Sequence, residues 1–173
     1  MIMKDAKNMH KNLVITSMDE QIRSWITSFL SKPNPLLNNF PPCPFAKKAL
    51  LDERVQIKKF TEWDDLSHVA ADWDDSLDVA LWWFADRDLE TMNNVKLQFN
   101  NVWRPHDMWL LMDHPDKHEL INGVEMNFKL AGLLLLQRYS TLVDASKTLK
   151  SQGYYNTWNA KEQAFVHRRN LNN

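Results

Sequence analysis

The sequence predicts an α+β fold, a single domain in which helices pack on a mixed sheet of about four strands. Segments with helical and strand periodicity alternate along the chain, and one strand-like run is apolar on both of its faces. The 173 residues, 44% hydrophobic and 25% charged, suffice for one sizeable core. We expect a flexible N-terminal arm over residues 1–16 and a single α+β domain over residues 17–173.

The helices are predicted from apolar residues at helical spacing and from their caps. The first begins with a capping box, Ser17 and Glu20, and ends before Pro33. A loop rich in proline and asparagine follows over residues 32–45 and leads to the start of a further helix at Lys47. The longer helices are expected over residues 18–30, 61–71, 86–102, 140–152 and 157–169.

The strands are predicted from shorter apolar patterns. Residues 54–60 alternate between apolar and polar side chains, which is typical of a half-buried strand. Residues 77–84 are apolar on both faces, which favours a central strand covered on both sides. Two further strands are expected over residues 108–112 and 133–139, and Asn122-Gly123 predicts a turn between them.

Composition excludes several classes of function. The formal net charge of −1 argues against binding nucleic acid through a positive field, and only three glycines leave no phosphate-binding loop. No run approaches the roughly 18 apolar residues of a membrane span, and residues 1–12 do not resemble a secretory signal. A single cysteine cannot form an intrachain disulfide. We therefore expect a cytoplasmic protein that binds neither nucleic acid nor membrane.

The cysteine lies in a rigid segment, Phe-Pro-Pro-Cys-Pro-Phe-Ala-Lys-Lys over residues 40–48. A thiol near a helix N-terminus and beside Lys47 and Lys48 would favour the thiolate, which is a nucleophile or a metal ligand. A Cys-Pro pair can also ligate haem iron. Alternatively, Cys43 is a small buried residue with a structural role.

Several short motifs resemble an uncharacterised bacterial domain family. They are Trp25 on the first helix, Cys-Pro-Phe-Ala-Lys over residues 43–47, His114-Pro115 and Asn127. Members of that family usually have Asn-Leu before the Cys-Pro pair, whereas Pro41-Pro42 stand here. The resemblance covers roughly residues 20–150. It implies the fold and the choice of candidate residues, and it implies no particular reaction or cofactor.

Three histidines, His106, His114 and His118, fall among carboxylates within thirteen residues. Histidine with carboxylate is the ligand set of zinc and non-haem iron sites, which makes a metal-dependent enzyme one hypothesis. A solvated loop in which His114 packs or caps is a second interpretation. Acid–base catalysis by His114 is a third.

The first functional hypothesis is a small-molecule enzyme or binding protein. Its catalytic residues would be Cys43 and His114, brought into one pocket, with Lys47, Arg138 and Asn127 as substrate-binding residues. If the strand that ends in Lys58 and Lys59 neighbours the strand of Arg138, the cations would bind an anionic small molecule.

The alternative hypothesis is a non-enzymatic protein-interaction domain. Eight tryptophans exceed what one small core needs, and aromatic residues are enriched at interfaces. This hypothesis predicts an exposed patch that contains Trp63, Trp73 or Trp158.

Overall fold

The computed structural model describes residues 16–171, which form a four-stranded mixed sheet with helices on both faces. The strand order is β1-β2-β6-β3; β1 and β2 are parallel, and β6 is antiparallel to β2 and to β3. The predicted α+β class and mixed sheet are confirmed. The expected arm falls almost wholly on residues 1–15, which lie outside the described residues. The strands are β1 Val55–Lys59, β2 Val79–Phe84, β3 Met108–Asp113, β4 Leu120–Ile121, β5 Val124–Glu125 and β6 Gly132–Arg138.

Six α-helices are described, and their caps explain their bounds. The capping box of Ser17 and Glu20 is present, and Asp88 accepts a hydrogen bond from Thr91 N at 2.8 Å. Because Asp88 is the N-cap, α4 begins at Leu89, three residues after the predicted start. None of the described helices is both long enough and apolar enough to cross a membrane. The helices are α1 Met18–Trp25, α2 Ala46–Leu51, α3 Asp64–Ala71, α4 Leu89–Trp103, α5 Tyr139–Ser151 and α6 Ala160–Leu171.

The sheet carries a separate apolar core on each face, and β2 contributes to both. Ala80, Trp82 and Phe84 face α3 and α4, and we call this side the α4 face. Leu81 faces the opposite way, toward α1 and α2, with Val79 and Trp83 packed around it; this is the α1 face. Alternate side chains of a strand point to opposite faces, so a strand apolar throughout must be covered twice. The predicted central strand is confirmed.

The outer edge of β3 is closed by a side chain. Asn100 of α4 is buried, accepts a hydrogen bond from Leu110 N at 2.7 Å and donates to Leu110 O at 2.9 Å. The amide therefore pairs with the strand as a neighbouring peptide group would. A covered edge resists pairing with another chain.

The segment between β3 and β6 contains a small hairpin, in which β4 pairs with β5. Asn122 and Gly123 both have positive φ angles, 49° and 82°, as a type I′ turn requires. Ile121 and Val124 of the hairpin bury Leu37, which belongs to the proline-rich loop, in a third apolar cluster.

Between α1 and that loop, the chain makes a π-helical turn over Ile26–Leu30. Ser31 donates a side-chain hydrogen bond to Ile26 O at 2.6 Å, and Cys43 N donates to Leu30 O at 2.9 Å. The loop is thereby held against the α1 face.

Candidate functional site

The Cys43 thiol is protonated at neutral pH. Although the residue keeps some exposed surface, protein atoms surround the sulfur, and this burial raises its pKa. Hydrogen bonds from the backbone N–H groups of Ala46 and Phe45 favour the thiolate but offset the burial only in part. The thiol therefore lacks the lowered pKa that nucleophilic or metal-ligating cysteines have.

Tyr154 lies next to the Cys43 thiol and links the proline-rich loop to the segment that follows α5. Its hydroxyl donates a hydrogen bond to Pro42 O at 2.6 Å across 112 residues of sequence. Burial raises the pKa of Tyr154, and the proximity of Cys43 and Tyr155 raises it further. The Cys43 thiol and the Tyr154 hydroxyl thus lie side by side, both uncharged, where the proline-rich loop meets the turn after α5. This arrangement indicates a structural role for both side chains.

His114 is buried, and both of its ring nitrogens are engaged. Nδ1 accepts a hydrogen bond from Asp116 N at 3.1 Å, so the ring proton is on Nε2, which lies 2.8 Å from Arg87 O and donates to it. The ring therefore ties the loop after β2 to the loop after β3. No ring lone pair is left to accept a proton from a substrate.

Asn127 lies beside His114, within a polar cluster. Its amide nitrogen donates to the Asp113 carboxylate and, at 3.4 Å, to His114 O. Its amide oxygen accepts from Glu119 N at 2.8 Å. Both ends of the Asn127 amide are therefore occupied by hydrogen bonds that hold the hairpin segment to the end of β3.

The described contacts do not bring Cys43 and His114 together. The His114 ring lies 6.0 Å from the ring of Phe84, on the α4 face of the sheet. Cys43 is bonded to Leu30, which packs on the α1 face. The two residues thus adjoin different apolar cores, one on each side of the sheet, and none of the described contacts joins the thiol to the imidazole.

The predicted cations are dispersed as well. Arg138 binds Asp75 through Nε at 3.0 Å and Nη2 at 2.7 Å. Leu133 is paired with Asp113, and Arg138 follows five residues later, which places it roughly 17 Å from the His114 end of β6. The strand of Lys58 and Lys59 is not a neighbour of the strand of Arg138, because β2 lies between β1 and β6. Lys47 is exposed on α2.

The histidines do not converge on a metal site. Among residues 16–171, no three His, Cys, Asp or Glu side chains are grouped so that they could hold an ion. His106 packs on the ring of Trp103 with centroids 5.6 Å apart, and His118 lies 3.9 Å from the Glu125 carboxylate.

The tryptophans are used for packing within the domain. Trp82 is buried and the other seven are half-buried. Trp63 packs on Phe60, Trp73 joins the core of the α4 face and Trp158 joins the hairpin cluster. Among the side chains that the structure describes, the exposed large apolar ones are of other types: Leu36, Phe45, Leu51, Leu97, Val102, Leu120 and Leu130.

An open groove lies between α1 and the turn that precedes β6, and we call it the α1 groove. Its volume is about 350 Å³. The rings of Trp25 and Phe128 lie 5.2 Å apart at 52° and form its aromatic wall, which Leu130 extends. Polar side chains of α1 and of the residues on either side of it complete the lining. The lining residues are Thr16, Glu20, Gln21, Ser24, Trp25, Ser28, Phe128 and Leu130.

Sequence reasoning missed this groove, although one signal was present. Trp25 stands beside the Ile22 and Ile26 stripe that faces the sheet, and Gln21, Ser24 and Ser28 share its side of the helix. An aromatic residue among small polar ones at helical spacing indicates a partly solvated contact. Its partner, Phe128, comes from more than 100 residues later and could not be found by periodicity.

Comparison of the chain with protein-family models, with curated proteins and with solved structures finds no match in any of the three. The resemblance of residues 43–47 to a bacterial domain family stays a prediction.

Proposed function

We propose that this domain is a cytoplasmic small-molecule-binding protein and that the α1 groove is its binding site. The observation that carries the proposal is a volume of about 350 Å³ walled on one side by Trp25 and Phe128. Ligand sites are concave, mostly apolar and of about 300–1,000 Å³, with a few polar groups that orient the ligand. The α1 groove has this size and this mixture of groups.

The contacts favour binding over catalysis. A thiol enzyme needs its nucleophile within hydrogen-bond reach of a base, and Cys43 and His114 adjoin different apolar cores on the two sides of the sheet. The lining of the α1 groove contains no histidine, cysteine or lysine. It offers hydroxyl, amide and carboxylate groups beside an aromatic wall, which can orient a ligand.

Fluorine NMR of protein labelled with 5-fluorotryptophan tests the proposal. The variant Trp25→Phe assigns the Trp25 resonance by its loss from the spectrum. The compounds tested are small, have an aromatic or branched alkyl body, and include neutral, cationic and anionic members. We expect some of them to shift the Trp25 resonance, and the shift to saturate as their concentration is raised. Trp103, on the α4 face, is the matched internal control and should not move. If no compound of any charge shifts the Trp25 resonance at millimolar concentration, the proposal is wrong.

A further inference from the structure

The α1 groove has one charged side chain in its lining, and its charge is negative. Glu20 is exposed at the first turn of α1, where its Oε2 accepts hydrogen bonds from Ser17 N at 2.7 Å and Ser17 Oγ at 3.1 Å. These contacts come from neutral groups and orient the carboxylate without pairing it with an opposing charge. Glu20 thus contributes a carboxylate to the same groove that Trp25 and Phe128 line.

Four other aromatic rings among the described residues carry one of the protein's own cations. Lys59 Nζ lies 5.4 Å from the ring of Trp83, and the Arg104 guanidinium lies 4.9 Å from the ring of Tyr139. Arg87 lies 6.0 Å from the rings of both Phe60 and Trp63.

The aromatic pair of the α1 groove is not among these rings. Within residues 16–171, no lysine or arginine lies over Trp25 or Phe128, and none is among the residues that line the groove. The face of an aromatic ring attracts cations, and tryptophan does so most strongly. A carboxylate beside it adds a charge-assisted hydrogen bond for an N–H donor.

Resting on the proposed function, we propose that the ligand of the α1 groove is a small organic ammonium ion with an apolar body. The apolar body packs on Trp25, Phe128 and Leu130, and the ammonium group faces Glu20. The hydroxyls of Ser24 and Ser28 and the amide oxygen of Gln21 line the same groove. They accept hydrogen bonds from the N–H groups of the ammonium that Glu20 does not bind. The anionic ligand expected from Lys47 and Arg138 would meet only negative charge here.

Three probes that differ at one end test the charge preference: 2-phenylethylammonium, the neutral 2-phenylethanol and the anionic 3-phenylpropionate. We expect the ammonium to bind about tenfold more tightly than the alcohol, because cation–π and ion-pair contacts are added to the same aromatic packing. The affinity for the ammonium, but not for the alcohol, should fall as salt is raised. Affinities are read from the fluorine resonance of labelled Trp25.

The variant Glu20→Gln isolates the carboxylate, because glutamine also satisfies a capping box and keeps the start of α1 intact. It should reduce the preference for the ammonium over the alcohol, because the ion-pair contact is lost while the cation–π contact remains. Glu90→Gln, in the first turn of α4, is the matched control and should leave this preference unchanged. Unfolding by urea verifies that both variants are folded.

The outcomes separate this inference from the function on which it rests. If 2-phenylethanol or 3-phenylpropionate binds as tightly as 2-phenylethylammonium, the ammonium inference is overturned. It is also overturned if Glu20→Gln leaves the affinity for 2-phenylethylammonium unchanged. The α1 groove would then still be a binding site. If no compound of any charge shifts the Trp25 resonance, the proposed function itself fails.

Discussion

Replacing Asn100 with alanine removes the side chain that closes the outer edge of β3. In the native protein, the amide accepts from Leu110 N at 2.7 Å and donates to Leu110 O at 2.9 Å. Asn100 is 7% exposed and Leu110 is fully buried, so water does not readily replace the lost amide. The variant leaves one peptide N–H and one peptide C=O without their partner.

The magnitude follows from those two groups. An unpaired buried donor or acceptor costs about 1–3 kcal/mol. Both belong to the same strand edge, where a small shift can admit one water, so we expect a loss of about 2–5 kcal/mol in the free energy of unfolding. For a domain of this size, that corresponds to a fall in Tm of roughly 5–15 °C.

Urea denaturation followed by far-ultraviolet circular dichroism measures the loss. Asn101→Ala is the matched control: it is the exposed neighbour on the same helix and reports the gain in helix propensity alone. It should change the free energy of unfolding by less than about 0.7 kcal/mol. If Asn100→Ala costs no more than Asn101→Ala, Leu110 is not held by the amide and the reasoning fails.

A near-isosteric variant, Asn100→Asp, sharpens the test. Its carboxylate can accept from Leu110 N but repels Leu110 O, and on protonation it regains a donor for that oxygen. Its deficit in stability relative to the native protein should therefore shrink as the pH is lowered. A deficit that does not depend on pH would mean that the Leu110 carbonyl is satisfied in another way.

Further predictions concern the sheet and the Cys43 loop. Gly132→Ala would place a Cβ 2.1 Å from ring atoms of Phe84 and should cost about 1–3 kcal/mol by calorimetry; an unchanged Tm would contradict this close contact. The pKa values of Cys43 and Tyr154 are raised in the folded state, so stability is full below the unfolded thiol pKa of 9.0 and is lost as the pH rises above it. Tyr154→Phe should lessen this alkaline loss while removing the hydrogen bond to Pro42. The Cys43 thiol should react with a disulfide reagent at neutral pH only after denaturant is added, and rapid labelling of the native protein would refute its burial.

The fold was largely predictable because its strongest signals are local. The run over residues 77–84 is apolar on both faces, and it forms β2 at the centre of the sheet. Ser17 and Glu20 start α1 as their spacing predicts. The start of α4 was misplaced because two aspartates, Asp86 and Asp88, are both acceptable caps, and only the hydrogen bond to Thr91 distinguishes them.

The site was predicted less well because its residues serve different purposes once folded. His114 has the chemistry of an acid–base catalyst in the sequence, but Arg87 O, 27 residues away, and Asp116 N occupy its ring nitrogens. Cys43 stands before two lysines, but burial raises the pKa of its thiol, and the groups that lower this pKa are the backbone N–H groups of Ala46 and Phe45. The contact of His114 with Arg87 joins segments that no local pattern relates.

The amino-acid sequence by itself determined which segments become helices and strands, where the first helix starts and which strand is covered twice, because these depend on side-chain period and capping within a few residues. The tertiary structure decided that Cys43 and His114 adjoin different cores, that β2 separates β1 from β6, and that Phe128 meets Trp25 to wall a groove. Strand order and face are set by the packing of distant apolar surfaces against one another, and that packing is a property of the whole chain.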